Sequence, residues 1–242
     1  MKFSSAFLYV LSSLGVAQAA KPPYFILTGD STVAVNGGWG DGFLADLKSP
    51  ASGVNSGKSG ATIPSFRAEG RWNTAIEAVK SHKGAHESIV TIQFGHNDQK
   101  TYTLEQYSNN LIGLVNEVKA AGGTPIVITS LTRRTFSGGH VVENLAEWRD
   151  AAIAVANDLN VKYLDLNTAS TNYVNAIGQA NADYYNLSQG DRTHLNPAGE
   201  IVFGRLVADL LLEKRPDLKK YVVPNEALSK KIRDGEFATG EE

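Results

Sequence analysis

The order of the apolar segments constrains this chain more than any other feature. Short apolar runs recur at residues 24–28, 51–55, 88–93, 124–129 and 161–166. Segments with the length and spacing of helices lie between them at 71–82, 104–121 and 144–159. Strands that alternate with helices feed a parallel sheet covered on both faces, because each parallel connection needs a crossover that packs back on the sheet. The expected fold is therefore α/β, a three-layer α/β/α sandwich around a five-stranded parallel sheet. The helix limits carry chemical signals. Thr103 with Gln106 forms a capping-box pattern, and Gly122-Gly123 ends that helix. Asn196 followed by Pro197 starts a last helix that runs to about residue 213.

A chain of 242 residues with 42% apolar content can bury one large core and is short for two. Residues 1–19 read as a signal peptide, with Lys2 at its start, an apolar stretch interrupted by serines, and Ala17-Gln18-Ala19 as the cleavage site. Residues 20–224 form the expected domain, and 225–242 a polar tail, read as a short solvated helix followed by disorder. A secreted, extracellular monomer is expected. The leader is too short and serine-rich to span a bilayer, and no later window approaches the roughly 20 apolar residues a spanning helix needs. The formal net charge of -2 gives no electrostatic reason to expect nucleic acid or an anionic membrane as partner. No cysteine is present, so stability has to come from the core alone. Asn186-Leu187-Ser188 is the single acceptable glycosylation sequon, which makes Asn186 a glycosylation candidate.

In open parallel sheets ligands bind beyond the carboxyl ends of the strands. Here those positions are polar: Gly29-Asp30-Ser31-Thr32 after the first strand, 55–60 after the second, Gly95-His96-Asn97-Asp98 after the third, and Ser130, Arg133 and Arg134 after the fourth. Asp191-Arg192-Thr193-His194 precedes the last helix. Each block alone is ordinary turn or capping composition. Together they supply a serine, a base to take its proton, a carboxylate to fix the tautomer of that base, and donors for a developing oxyanion.

These blocks resemble those of the GDSL, or SGNH, hydrolase superfamily, whose sheet is flavodoxin-like. Asn36-Gly37-Gly38-Trp39-Gly40, Glu69-Gly70-Arg71 and the Gly-His-Asn-Asp form of the third block are most similar to its rhamnogalacturonan acetylesterase-like branch. The similarity runs over roughly residues 24–222. It implies Ser31 as nucleophile, Asp191 and His194 as acid and base, and the N–H groups of Ser31 and Gly60 with the Asn97 amide as oxyanion hole. It also implies an acetylated plant-wall polysaccharide, rhamnogalacturonan first, as substrate. Glycine at position 60 permits a close backbone approach, and the Asn97 amide donates without titrating. The three-residue gap from Asp191 to His194 lets a turn bring the carboxylate to Nδ1 and leaves Nε2 for Ser31.

Other residues have two readings each. Trp39, Trp72 and Arg71 are candidates for a sugar-facing platform, although tryptophan beside a helix is more often core. Arg133 and Arg134 are either solvated charges or a carboxylate-binding pair. His96 reads as a loop anchor and Asp30 as the organiser of the nucleophile turn. His82 and His86 have the spacing of a metal-binding helix face but lack a third ligand, so no metal or other cofactor is expected. The competing functions are an SGNH esterase or lipase acting on another acetylated glycan or on a small or lipid ester, and a non-catalytic carbohydrate-binding protein.

Overall fold

A computed structural model describes residues 20–242. The leader assigned to residues 1–19 lies outside the described residues. Along the chain run β1 (Pro23–Gly29), β2 (Ser52–Asn55), β3 (Glu87–Gln93) and β4 (Thr124–Ile128); a hairpin of β5 (Phe136–Ser137) and β6 (His140–Val141) then precedes β7 (Lys162–Leu164). β1 to β4 and β7 form one parallel sheet in the order β2-β1-β3-β4-β7. The helices are α1 (Gly40–Ala45), α2 (Ile63–Ala68), α3 (Arg71–His82), α4 (Leu104–Ala121), α5 (Ala146–Asp158), α6 (Leu166–Ala182, interrupted at the left-handed Gly178), α7 (Pro197–Lys214) and α8 (Glu226–Asp234).

The central strands are buried on both faces, so they read as continuous apolar runs rather than alternating ones. Successive side chains still point to opposite sides. Phe25, Leu27, Ile89 and Ile126 pack with Phe43 of α1, Tyr173 of α6 and Phe203 of α7. Ile26, Val90, Ile92 and Val127 pack with Trp72 of α3, Leu111 of α4 and Ala152 of α5. Each such side chain contributes about 1.5–3 kcal/mol through burial. None of the described helices is long and apolar enough to cross a membrane.

This topology places the site. The chain leaves β1 for β2 on one side and returns in β3 on the other, so a crevice opens at the carboxyl ends of β1 and β3. The expected caps form: Thr103 Oγ1 accepts from the Gln106 N–H at 3.2 Å, Gln106 Oε1 accepts from the Thr103 N–H at 3.0 Å, and Asn196 Oδ1 accepts from the Gly199 N–H at 2.9 Å.

Two expectations are corrected. The last strand stops at Leu164, because the Asp165 side chain accepts the Thr168 N–H and starts α6, a helix the apolar pattern does not announce. The tail is also docked rather than disordered. Ala238 is fully buried, its N–H donates to Tyr173 Oη at 3.2 Å, and its carbonyl accepts from Tyr185 Oη at 2.7 Å. Two buried hydroxyls thus satisfy a backbone segment whose composition reads as solvated.

Candidate active site

Ser31 stands on the turn that follows β1. Gly29 has no room for a side chain, since a Cβ there would lie 2.5 Å from both the Gln93 carbonyl and Val33 Cγ2. Asp30 shapes the turn: Oδ1 accepts from the Thr32 N–H at 2.9 Å and the Thr32 hydroxyl at 2.8 Å, and its carbonyl accepts from the N–H groups of Val33 and Ala34. Below, the Gln93 amide donates to Thr32 Oγ1 and accepts from Trp39 Nε1 at 2.8 Å. The Ser31 turn therefore rests on a buried polar chain that runs Trp39, Gln93, Thr32, Asp30.

The expected acid and base, Asp191 and His194, lie on the loop before α7. His194 Nε2 lies 2.9 Å from Ser31 Oγ, and His194 Nδ1 lies 2.9 Å from Asp191 Oδ2. Asp191 Oδ1 also accepts the N–H groups of Thr193 at 3.1 Å and His194 at 3.0 Å. Burial opposes ionisation of Asp191. The hydrogen bonds from the His194 N–H and ring and the Thr193 N–H outweigh it, so this carboxyl titrates below its ordinary range. An ionised Asp191 accepts a hydrogen bond from Nδ1–H and keeps the proton on that nitrogen, which leaves Nε2 as an acceptor facing the Ser31 hydroxyl. The loop is braced from the β1 side too: the Leu195 N–H donates to the Gly37 carbonyl at 2.9 Å, and the Gly37 N–H donates to Glu200 Oε1 at 2.7 Å.

Gly60 and Asn97 sit on adjacent tied loops. Asn97 Nδ2 donates to the Ala61 carbonyl at 3.1 Å, and the Ile63 N–H donates to Asp98 Oδ1 at 3.0 Å. One amide hydrogen of Asn97 is thus used for orientation and the other is left over. Gly60 has φ +78°, and a Cβ there would meet nothing within 4 Å. Backbone conformation, not protein crowding, makes it glycine, and the space in front of it is open. Burial pushes Asp98 up to about 6. His96 is anchored by Nε2, 2.8 Å from the Leu131 carbonyl, and burial pushes it down to about 4.

The structure separates the remaining candidates. Trp39 is fully buried against Gln93 and Phe43, so it cannot meet a polysaccharide. Trp72 is likewise core, with its Nε1 donating to Glu117 at 2.6 Å. Arg71 is half-buried at the start of α3, 3.4 Å from Glu69, at the same sheet edge as Ser31. Arg133 is half-buried beside His96, whose carbonyl accepts from Nη2 at 3.4 Å, and forms no salt bridge among the described residues. Arg134 is corrected: it is fully buried and faces the protein's own loop, not solvent. Asn186 also faces inward, accepting from Arg134 Nε and donating to Asp183 Oδ1, each at 3.0 Å. His82 stacks on Tyr24 with ring centroids 3.6 Å apart, and no group of three or more metal-ligating side chains occurs among the described residues. Sequence reasoning missed Gln93, although a lone amide closing an otherwise apolar strand was the available signal.

Residues 27–200 match the GDSL-like Lipase/Acylhydrolase family. The chain is 31% identical over 229 residues to rhamnogalacturonan acetylesterase RhgT of Bacillus subtilis, a match covering 85% of this chain and 97% of that protein. It is 24% identical over 201 residues to the probable rhamnogalacturonan acetylesterase YesY of the same bacterium, covering 76% and 90%. Among solved structures, Bacillus subtilis YxiM superposes with a TM-score of 0.70 at 22% identity, over 84% of this chain and 59% of that one. Axe2, an acetylxylan esterase from Geobacillus stearothermophilus, superposes with a TM-score of 0.56 at 19% identity, over 81% and 94%. These two likenesses concern the fold. By family match and by the identity with RhgT, the chain belongs to the GDSL-like lipase/acylhydrolase, or SGNH, family and is a carboxylic ester hydrolase of that family.

Proposed function

We propose that this chain is an exported serine esterase that removes O-acetyl groups from a plant cell-wall polysaccharide, with rhamnogalacturonan as the preferred polymer. The observation that carries the chemistry is the unbroken hydrogen-bonded line from Asp191 through His194 to Ser31 Oγ. Ser31 Oγ attacks the acetyl carbonyl carbon while His194 Nε2 takes its proton. The oxyanion is held by the N–H groups of Ser31 and Gly60 and the free amide hydrogen of Asn97. The tetrahedral intermediate collapses as the bond to the sugar oxygen breaks, and His194 returns the proton to that oxygen. Water then attacks the acetyl-serine, giving its proton to His194, which passes it to Ser31 as acetic acid leaves. The buried turn under Ser31 and the braced loop under His194 hold these groups without reorganisation.

Two relatives named as rhamnogalacturonan acetylesterases support the substrate class. Arg133 supports an acidic polymer, because a guanidinium without a carboxylate partner at the strand-end crevice matches galacturonate with a two-pronged fork. The test is acetate release from acetylated rhamnogalacturonan, homogalacturonan and xylan, beside hydrolysis of a long-chain p-nitrophenyl ester. Rhamnogalacturonan should lead, and Arg133→Ala should raise KM for it several-fold while sparing p-nitrophenyl acetate. A preference for xylan would make this a neutral-glycan esterase, a preference for the long chain a lipid-ester hydrolase, and silence on all four a binding protein. Export is tested separately by the mature N-terminus, expected at Ala20.

A further inference from the structure

Arg134 has an unusual position for a cation. It is fully buried, forms no salt bridge among the described residues, and still makes contacts to four places on one loop. Its Nη2 donates to the His194 carbonyl and, at 3.4 Å, to the Asp191 carbonyl. Its Nε donates to Asn186 Oδ1 at 3.0 Å, and its backbone N–H donates to the Arg192 carbonyl at 2.8 Å. Burial pushes its guanidinium down to about 10, partly offset by Asp191 and Asp183, so it remains a cation at neutral pH.

A buried charge is costly when merely used as filler, and an apolar side chain would fill this space better. What the guanidinium supplies is a planar set of donors for carbonyls that a tight loop directs inward. Those carbonyls belong to the two residues whose side chains form the acid and base. Outside the same loop, Asp183 accepts from Arg192 Nε at 3.0 Å and Nη2 at 3.1 Å and also accepts from Asn186, closing a frame with Arg134 inside and Arg192 outside. The loop carries little apolar anchoring of its own, since Leu187, Ser188, Gln189 and Gly190 are exposed.

We propose that Arg134 is a positioning residue: it clamps the Asp191–His194 loop from the interior and so sets the His194 ring at transfer distance from Ser31. The proposal rests on the triad reading given above. It assigns Arg134 no contact with substrate, so its effect falls on turnover and not on substrate binding.

The experiment compares Arg134→Gln, Arg134→Lys, Asn186→Ala and Ser31→Ala on p-nitrophenyl acetate, far below each variant's thermal midpoint, with folding checked by circular dichroism. Misplacing a base by about an ångström costs up to roughly a hundredfold, so Arg134→Gln should lose about 10- to 100-fold in kcat with KM within about twofold. Arg134→Lys keeps the charge and reaches one carbonyl, so its kcat should lie between Gln and wild type. Asn186→Ala removes the acceptor that aligns Nε and should lower kcat by a smaller factor, which decides the matter if neither arginine variant folds. Wild-type kcat in any folded Arg134 variant, or a loss confined to KM, would overturn the clamp. If the arginine variants do not fold, an unchanged kcat in Asn186→Ala would do the same. Activity in folded Ser31→Ala would instead overturn the triad reading beneath it.

Discussion

Replacing Trp39 with phenylalanine separates two uses of an aromatic ring beside this site. A platform tryptophan would be felt by the polymer, whereas the observed ring lies under the Ser31 turn with its Nε1 donating to Gln93 Oε1 at 2.8 Å. Phenylalanine keeps most of the apolar contact with Phe43 but leaves that buried oxygen without its donor. An orphaned buried acceptor costs about 1–3 kcal/mol. The smaller ring leaves a void worth about 1 kcal/mol more, for a total of about 2–4 kcal/mol. In a domain of this size each kcal/mol lowers the midpoint by about 2–4 °C, so Tm should fall by about 4–16 °C. Urea unfolding should give the same loss in stability with an unchanged slope. KM for acetylated rhamnogalacturonan should stay near wild type at temperatures where the variant is folded. An unchanged Tm together with a raised KM on the polymer alone would refute the reasoning and return Trp39 to the sugar.

Asp98→Asn should stabilise the protein at alkaline pH. Burial raises the folded-state value of Asp98 from 3.8 to about 6, so the folded form holds that proton more tightly than the unfolded one. The resulting stability is complete below about pH 4 and is lost as pH rises through 6. Asparagine keeps the acceptor for Ile63 without a charge to desolvate, so a gain of up to about 3 kcal/mol at pH 8 should vanish at pH 4 in urea melts; equal gains at both pH values would contradict it. Asn97→Ala should lower kcat by about 10²–10³ with a smaller change in KM, because its amide matters most as charge develops on the carbonyl oxygen. A change confined to KM would make Asn97 a substrate clamp.

The parts of this protein that were legible in the sequence are those where one physical signal acts alone. Strands β1, β3 and β4 are buried on both faces and read as apolar runs, and the limits of α4 and α7 are set by Thr103, Gln106 and Asn196, which cap as their types imply. Helix α6 is not legible because its inner face is partly polar: Asn167 Nδ2 donates to the Ser130 carbonyl at 2.9 Å, the Ser170 hydroxyl accepts from the Thr132 N–H at 3.0 Å, and Thr171 donates to Thr132 Oγ1 at 2.9 Å. Hydroxyls and amides at the core-facing positions erase the apolar period that announces a helix. Ser31, Asp191 and His194 are legible as a set because three chemically matched groups fall at one sheet edge, where the structure brings them within hydrogen-bond reach. Arg134 folds under the loop it supports, and residue type does not tell whether such a strand-end side chain turns inward or to solvent, whereas Trp39 takes the core reading of its two. The docked tail was hidden for a related reason, its anchor being a backbone segment held by Tyr173 and Tyr185.

The central claim is that Ser31 carries the acyl group and that His194 activates it. The most direct measurement is covalent labelling with a small fluorophosphonate followed by peptide mass spectrometry, on the wild-type protein and on His194→Ala. The account predicts a single label on Ser31 in the wild type, loss of p-nitrophenyl acetate turnover in step with labelling, and a labelling rate in His194→Ala lower by roughly a thousandfold or more. A label on another residue, or equally fast labelling of Ser31 without His194, would contradict it.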